Sequence, residues 1–163
     1  MLDRTIDIGL IEGPVDQPGL ATRGVAEDEL LLIVPAGWQG QERVTLEELC
    51  RLPLILREEG SGTRGVIARA LAGQGLTIAN LNVVLELNSN DAIKSAITAG
   101  HGVSLLSRLA IRREIQTGTL KALQVDGISF RSTFNIVYPA GKPATSLQKK
   151  FFRFLLTNKK AFC

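Results

Sequence analysis

LPLILREEGSGTRGVIARALAGQGLTIANLNVVLELNSNDAIKSAITAGHGVSLLS, residues 52–107, is the stretch whose reading decides the fold. An apolar run, LPLILRE (52–58), meets a glycine-rich turn and then RGVIARALAGQG (64–75), where Ile67 and Leu71 share one helical face and Gly73 or Gly75 ends the helix. The pattern then repeats. LNVVLELN (81–88) reads as a strand, and NDAIKSAITAG (90–100) as a helix with Ile93, Ala96 and Ile97 inward and Gly100 as its stop. VSLLS (103–107) is the next strand, and SRLAIRREIQTG (107–118) the next helix, capped by Ser107. Strands alternating with helices predict a parallel α/β sheet.

Toward the N-terminus, DELLLIVP (28–35) is a continuous apolar run stopped by Pro35, the pattern of a buried strand. TLEEL follows as a short helix capped by Thr45, with Glu48 at the capping-box position. Near the start of the chain, Ile6, Ile8 and Leu10 alternate with Asp7 and Gly9, predicting a strand that ends at the turn Gly13-Pro14. Toward the C-terminus, LKALQV and STFNIVYP give two further strands, and a helix begins at about Ser146. Its Leu147, Phe151, Phe154 and Leu155 fall at helical spacing and are expected to face inward. Lys142, Lys149, Lys150, Arg153, Lys159 and Lys160 would then form a solvated face.

Composition removes several function classes. A chain of 163 residues with 45% hydrophobic and 21% charged residues is not disordered, and it suffices for one domain or two small lobes sharing a core. A formal charge of +3 gives no argument for nucleic acid binding. Two cysteines, Cys50 and Cys163, and one histidine, His101, do not make up a Cys/His metal site, so neither metal nor cofactor is expected. No apolar run reaches the ~20 residues of a membrane span, and the opening residues lack a signal peptide's apolar core. A cytoplasmic chain without membrane partners is expected.

GSGTRG at 60–65 places Gly60, Gly62 and Gly65 in the G-x-G-x-x-G positions, with Glu86 about 20 residues on. This gives the alternative reading, a dinucleotide-binding enzyme fragment. Against it, Glu58 and Glu59 would repel a pyrophosphate, and the first glycine comes late for a tight first turn. The lysine of a P-loop is also absent. The underlying physics is less specific: hydroxyls of Ser61 and Thr63 beside free N–H groups at a helix start suit an anion or polar ligand. Either residue also serves as an ordinary N-cap. NSND (88–91) repeats the arrangement at the next helix start, so two such turns are expected along one sheet edge. No catalytic set stands out. His101 sits in a GHG turn, Glu58 and Glu59 point to opposite faces of a strand, and Cys50 reads as an inert core thiol.

Taken in order, these segments resemble one family, the effector-binding domain of LysR-type transcriptional regulators. The matching stretches are IDIGLIEGP (6–14), DELLLIVP, TLEELCRLPLILREEGSGTR (45–64), ELNSNDAIKSAITAGHGVSLLS (86–107), TGTLKAL (117–123), FRSTFNIVYPAGK (130–142) and FFRFL (151–155). The resemblance implies an α/β fold like that of type II periplasmic binding proteins, two lobes joined by two crossing strands with a small effector between them. Residues 28–130 would form the second lobe, 1–27 a remnant of the first lobe with one crossing strand, and 131–163 the second crossing strand and a first-lobe helix.

On this resemblance the first lobe is incomplete and the family's DNA-reading helix-turn-helix lies outside the chain, so DNA would be reached only through that element. The implied function is a non-enzymatic sensor of a small metabolite, an anion or carboxylate being favoured. Its implied effector contacts are Ser61, Gly62 and Thr63, then Ser89 and Asn90, with Glu12, Gly13 and Pro14 from the first lobe. Ile6, Ile8 and Leu10 would lack their usual neighbours. Self-association through the first-lobe remnant, or loose packing of residues 1–20 and the C-terminal helix, is therefore expected.

Overall fold

The computed structural model describes residues 6–13, 17–141 and 145–157. In chain order its strands are β1 (Gly9–Glu12), β2 (Leu20–Pro35), β3 (Arg43–Thr45), β4 (Leu54–Arg57), β5 (Val83–Leu87), β6 (Ser104–Ser107), β7 (Leu120–Asp126) and β8 (Phe130–Pro139). The helices are α1 (Leu46–Arg51), α2 (Gly62–Ala72), α3 (Asn90–Thr98), α4 (Arg112–Thr117) and α5 (Ser146–Thr157). Two compact units result, one from residues up to Asp28 and from Ser132 onward, the other Glu29–Arg131.

In the Glu29–Arg131 unit, β4 runs parallel to β5, and Leu54 bridges to Val103 in the parallel sense. The expected parallel sheet forms only in part. β2 lies antiparallel to both β6 and β7, while β3 is parallel to β7. An antiparallel pair needs no helical crossover, so the helix count between strands did not constrain β2. The predicted strand over 28–35 is the C-terminal half of a 16-residue strand.

Alternation along β4 explains how this unit is layered. Leu54 and Leu56 join a core with Val66, Ile67 and Leu71 of α2, while Ile55 joins Ile93 and Ile97 of α3 on the other side. α1 starts as its sequence predicts: Glu48 N donates to Thr45 Oγ1 at 3.2 Å, and Thr45 N donates to Glu48 Oε2 at 2.8 Å. Ser107 differs from expectation. Its hydroxyl accepts from Ala110 N at 3.3 Å and closes a turn, and α4 begins only at Arg112.

In the other unit the strand order is β1-β8-β2, with β1 antiparallel to β8 and Leu10 opposite Ile136. Regular pairing begins at Gly9, not at Ile6 as the alternation predicts. Val25, Ile136 and Leu155 form the small core, flanked by Ile8, Phe134, Tyr138, Phe152 and Leu156. The inward stripe expected on α5 is overturned. Only Leu155 of the four is buried, whereas Leu147 is 76%, Phe151 43% and Phe154 58% exposed. Among the described residues this layer has three strands, and it covers only the arc of α5 that carries Phe152, Leu155 and Leu156. Lys142, Lys159, Lys160 and Cys163 lie outside the described residues.

Candidate functional site

Because β4, β5 and β6 share one direction, their C-terminal ends at Arg57, Leu87 and Ser107 lie along one edge of the unit. The α2 and α3 helices both start at that edge, where ligands of open α/β sheets bind. Ser61 is the N-cap of α2, its hydroxyl accepting from Arg64 N at 3.1 Å. Ser89 is the N-cap of α3 and accepts from Ala92 N at 3.5 Å. Each cap satisfies one of the free N–H groups of its helix start, and the remaining amides point outward with the positive end of the helix dipole.

The two starts are tied together by Arg57. Its Nη1 donates to Oδ1 of Asn90 at 3.1 Å, and its Nε and Nη2 donate to the two carboxylate oxygens of Glu58 at 2.7 and 2.8 Å. The Arg57 guanidinium holds the Glu58 carboxyl below its ordinary range. Arg64, on the first turn of α2, donates to the Arg57 carbonyl at 3.0 Å and to Glu86 Oε2. That bond in turn holds the Glu86 carboxyl below its ordinary range, with the Glu59 N–H adding a further donor.

Five of the sequence-predicted residues therefore share one edge: Ser61, Gly62 and Thr63 at one helix start, Ser89 and Asn90 at the next. Thr63 is only 4% exposed, so its hydroxyl presents little surface to a ligand. Glu12 and Gly13 lie in the other unit. Gly13 sits at φ +87°, where its N–H donates to Thr133 O and its carbonyl accepts from Asn135 Nδ2. Pro14 falls outside the described residues. The residues that sequence reasoning missed are Arg57 and Arg64. Their signal was present as the basic residues flanking the EEGSGT run, but nothing in one dimension showed that they face the two turns.

The dinucleotide alternative fails on the same geometry. Glu86, which would have to take a ribose hydroxyl, is bonded to Arg64 and to the Glu59 N–H instead. His101 is an exposed bend residue, and among the described residues no cluster of His, Cys, Asp and Glu could hold a metal ion. Two helix starts, two cap hydroxyls and an oriented guanidinium at this edge offer donors to an anion.

Comparison with known proteins identifies the family. The family profile described as LysR substrate binding domain matches residues 1–160. An uncharacterized HTH-type transcriptional regulator of Mycobacterium bovis, Mb2303c, is 35% identical over 144 residues, covering 86% of this chain and 46% of that protein. A phosphonates import ATP-binding protein, PhnC, of Anaeromyxobacter dehalogenans is 35% identical over 146 residues, or 88% of this chain and 29% of that protein. The chain thus spans less than half the length of these relatives. Among solved structures, the regulatory domain of Synechocystis PCC6803 CcmR in complex with 2-PG superposes with a TM-score of 0.85 at 26% identity, covering 98% of this chain and 76% of that one. The fold is that of the type II periplasmic-binding-protein-like regulatory domains, and the chain belongs to the LysR substrate-binding domain family.

Proposed function

We propose that the Glu29–Arg131 unit binds a small anionic metabolite at the paired starts of α2 and α3, with Ser61, Gly62, Ser89 and Asn90 as contacts and Thr63 behind them. In this reading residues 28–130 act as the second lobe of an effector-binding domain, and 1–27 with 131–163 belong to the first. Within a longer cytoplasmic regulator that carries a DNA-binding helix-turn-helix, effector binding shifts the population of conformations and so the transcriptional output.

The observation that carries the reading is the Arg57–Asn90 bond, which fixes a guanidinium, paired with Glu58 on its other side, between two neighbouring helix starts. Two helix dipoles favour negative charge there, and the Arg57 guanidinium offsets the Glu58 carboxylate that would oppose it. That a relative's regulatory domain was solved with 2-PG supports a small-molecule effector. The test is calorimetric titration of this chain with 2-PG, sulfate and small dicarboxylates against uncharged sugars as controls. Saturable binding of an anion that weakens in Ser89→Ala and Arg57→Gln supports the reading. Binding by none of the anions, or binding indifferent to both substitutions, removes it.

A further inference from the structure

Apart from the helix starts, the Glu29–Arg131 unit holds a cavity of about 380 Å³, lined by residues of β2, β3 and β7 and by the turn that leads into β8. Strand pairing explains why it exists. β7 pairs with β2 from Leu120 to Leu123, and then with β3 from Gln124 to Asp126. In the β2–β7 register the next rung would set Leu30 against Val125, but the ladder ends at Leu32 and Leu123. The two strands part there, and Gly127, at φ +77°, turns the chain back toward Phe130. Gln74 Nε2 holds that turn by donating to the Gly127 carbonyl at 3.2 Å.

The lining divides into an apolar floor and a charged rim. Leu30, Leu32, Leu123, Val125 and Phe130 line the cavity and also belong to the core shared with α2, so the floor is packed from behind. Main-chain groups enter as well. Arg108 N donates to Glu29 O at 2.9 Å, so the main chain of Glu29 faces β6 and that of Leu30 faces the opposite side, the one that β7 leaves. Of the two charges on the rim, Arg43 is engaged within the fold: its Nε donates to Asp126 Oδ1 at 2.7 Å and its Nη1 to Gln124 Oε1 at 3.0 Å. Glu29 is not. It is half-buried, and its carboxylate has no hydrogen bond or ion pair among the described residues. The unit's other carboxylates are either paired, as Glu58, Glu86 and Glu114 are, or exposed, as Glu42 and Glu59 are.

A carboxylate shielded from water beside apolar walls gains from a cation that reaches it. We infer that this cavity binds a small organic cation, a primary ammonium on an apolar body, with Glu29 as its counter-ion and the Leu30 carbonyl as a second acceptor. The Asp126 carboxylate offsets the Arg43 guanidinium, so Glu29 sets the sign of the site and an anion is repelled. An inorganic cation does not fit, because Ca²⁺ and Mg²⁺ need a shell of oxygens, and among the described residues no cluster of His, Cys, Asp and Glu could hold a metal ion. The volume is at the small end for ligand pockets and suits one ring with a short chain. None of the residues at the starts of α2 and α3 takes part, so this inference stands or falls separately from anion binding there.

The test is calorimetric titration and amide-resolved NMR of the 163-residue chain with benzylammonium, benzyl alcohol and benzoate as probes. Benzylammonium is expected to bind saturably, with the amide signals of Leu30–Leu32 and Gly127–Ser129 shifting most. Benzyl alcohol, close in shape but uncharged, should bind at least tenfold more weakly, and benzoate should leave those signals unmoved. Glu29→Gln should weaken benzylammonium at least tenfold, whereas Glu42→Gln, at an exposed carboxylate outside the cavity, should leave its affinity unchanged. Absence of saturable benzylammonium binding overturns the inference, as does an alcohol that binds as tightly as the ammonium. Equal affinity in the parent and Glu29→Gln overturns it too, and so do shifts confined to amides elsewhere in the chain. Should Glu29→Gln fail to fold, the comparison of ammonium with alcohol in the parent decides.

Discussion

Arg57 Nη1 donates to Asn90 Oδ1 at 3.1 Å, and this bond ties the last residue of β4 to the first residue of α3. The same guanidinium grips Glu58 with its Nε and Nη2, so its plane is fixed before any ligand arrives. A lysine has neither the planar fork nor the reach in two directions. Arg57→Lys is therefore expected to keep the fold but weaken anion binding about tenfold or more, the scale of one hydrogen bond to a charged group. Titration of parent and variant with the same anion checks this. Equal affinities would show that Arg57 only braces the edge.

Ser61 serves as a cap whatever else it does, and stability and binding can be separated there. An N-cap Ser→Ala change costs roughly 1 kcal/mol, whereas Gly in the same place costs only a few tenths. Ser61→Ala should lower the urea midpoint and Ser61→Gly should barely move it. Because both lack the hydroxyl, both should lose the same share of anion affinity if that hydroxyl touches the ligand. Affinity that follows the stability order would mean that Ser61 acts only through the helix start.

Where the sequence could be read, the signal was local. The Thr45–Glu48 capping box, the stop at Gly100 and the buried pair Ile93 and Ile97 each depend on residues within a few positions of one another. The misreadings involve partners distant in the chain. Leu147, Phe151 and Phe154 have inward spacing, but how much of α5 the sheet covers depends on strands more than 100 residues earlier in β1 and β2. The direction of β2 relative to β6 and β7 is likewise invisible in an apolar run such as LLLIVP. The hydroxyls of the two turns were legible because N-caps have a sequence signature. Arg57 was not, since an arginine at a strand end reads the same whether it faces solvent or a neighbouring helix.

Acid should loosen the edge and the α3–α4 contact together. Lys94 bonds Asp91 and Glu114, each at 2.9 Å, and the Lys94 ammonium holds the Glu114 carboxyl below its ordinary range. Glu58 and Glu86 are lowered in the same way by Arg57 and Arg64. A carboxyl whose folded value is depressed contributes stability above its unfolded value and loses it as pH falls through the folded one. Lys94 is raised, so its share persists through the acid range and is lost only at strongly alkaline pH. The thermal midpoint should therefore fall from about pH 5 downward. Glu114→Gln should lower the neutral-pH midpoint and flatten that descent; an unchanged slope would place the acid sensitivity elsewhere.

Gly102 is where the backbone tolerates least. It precedes Val103, whose N–H donates to Pro53 O at 2.9 Å and whose carbonyl accepts from Ile55 N at 2.8 Å, the bonds that hold β4 beside the start of β6. At φ +155°, a Cβ on residue 102 would lie 2.5 Å from Pro53 O and 3.1 Å from Ile55 Cγ1. The nearer atom is backbone and cannot swing aside, so an added methyl must push the two segments apart. Gly100, two residues earlier at φ +81°, has nothing within 4 Å of its would-be Cβ. Gly100→Ala should thus cost only its left-handed conformation, roughly 1 kcal/mol, while Gly102→Ala should cost about 3 kcal/mol or more. Urea unfolding of both variants measures the difference. Equal losses would mean that backbone conformation alone, and not the approach of Pro53, requires glycine at 102.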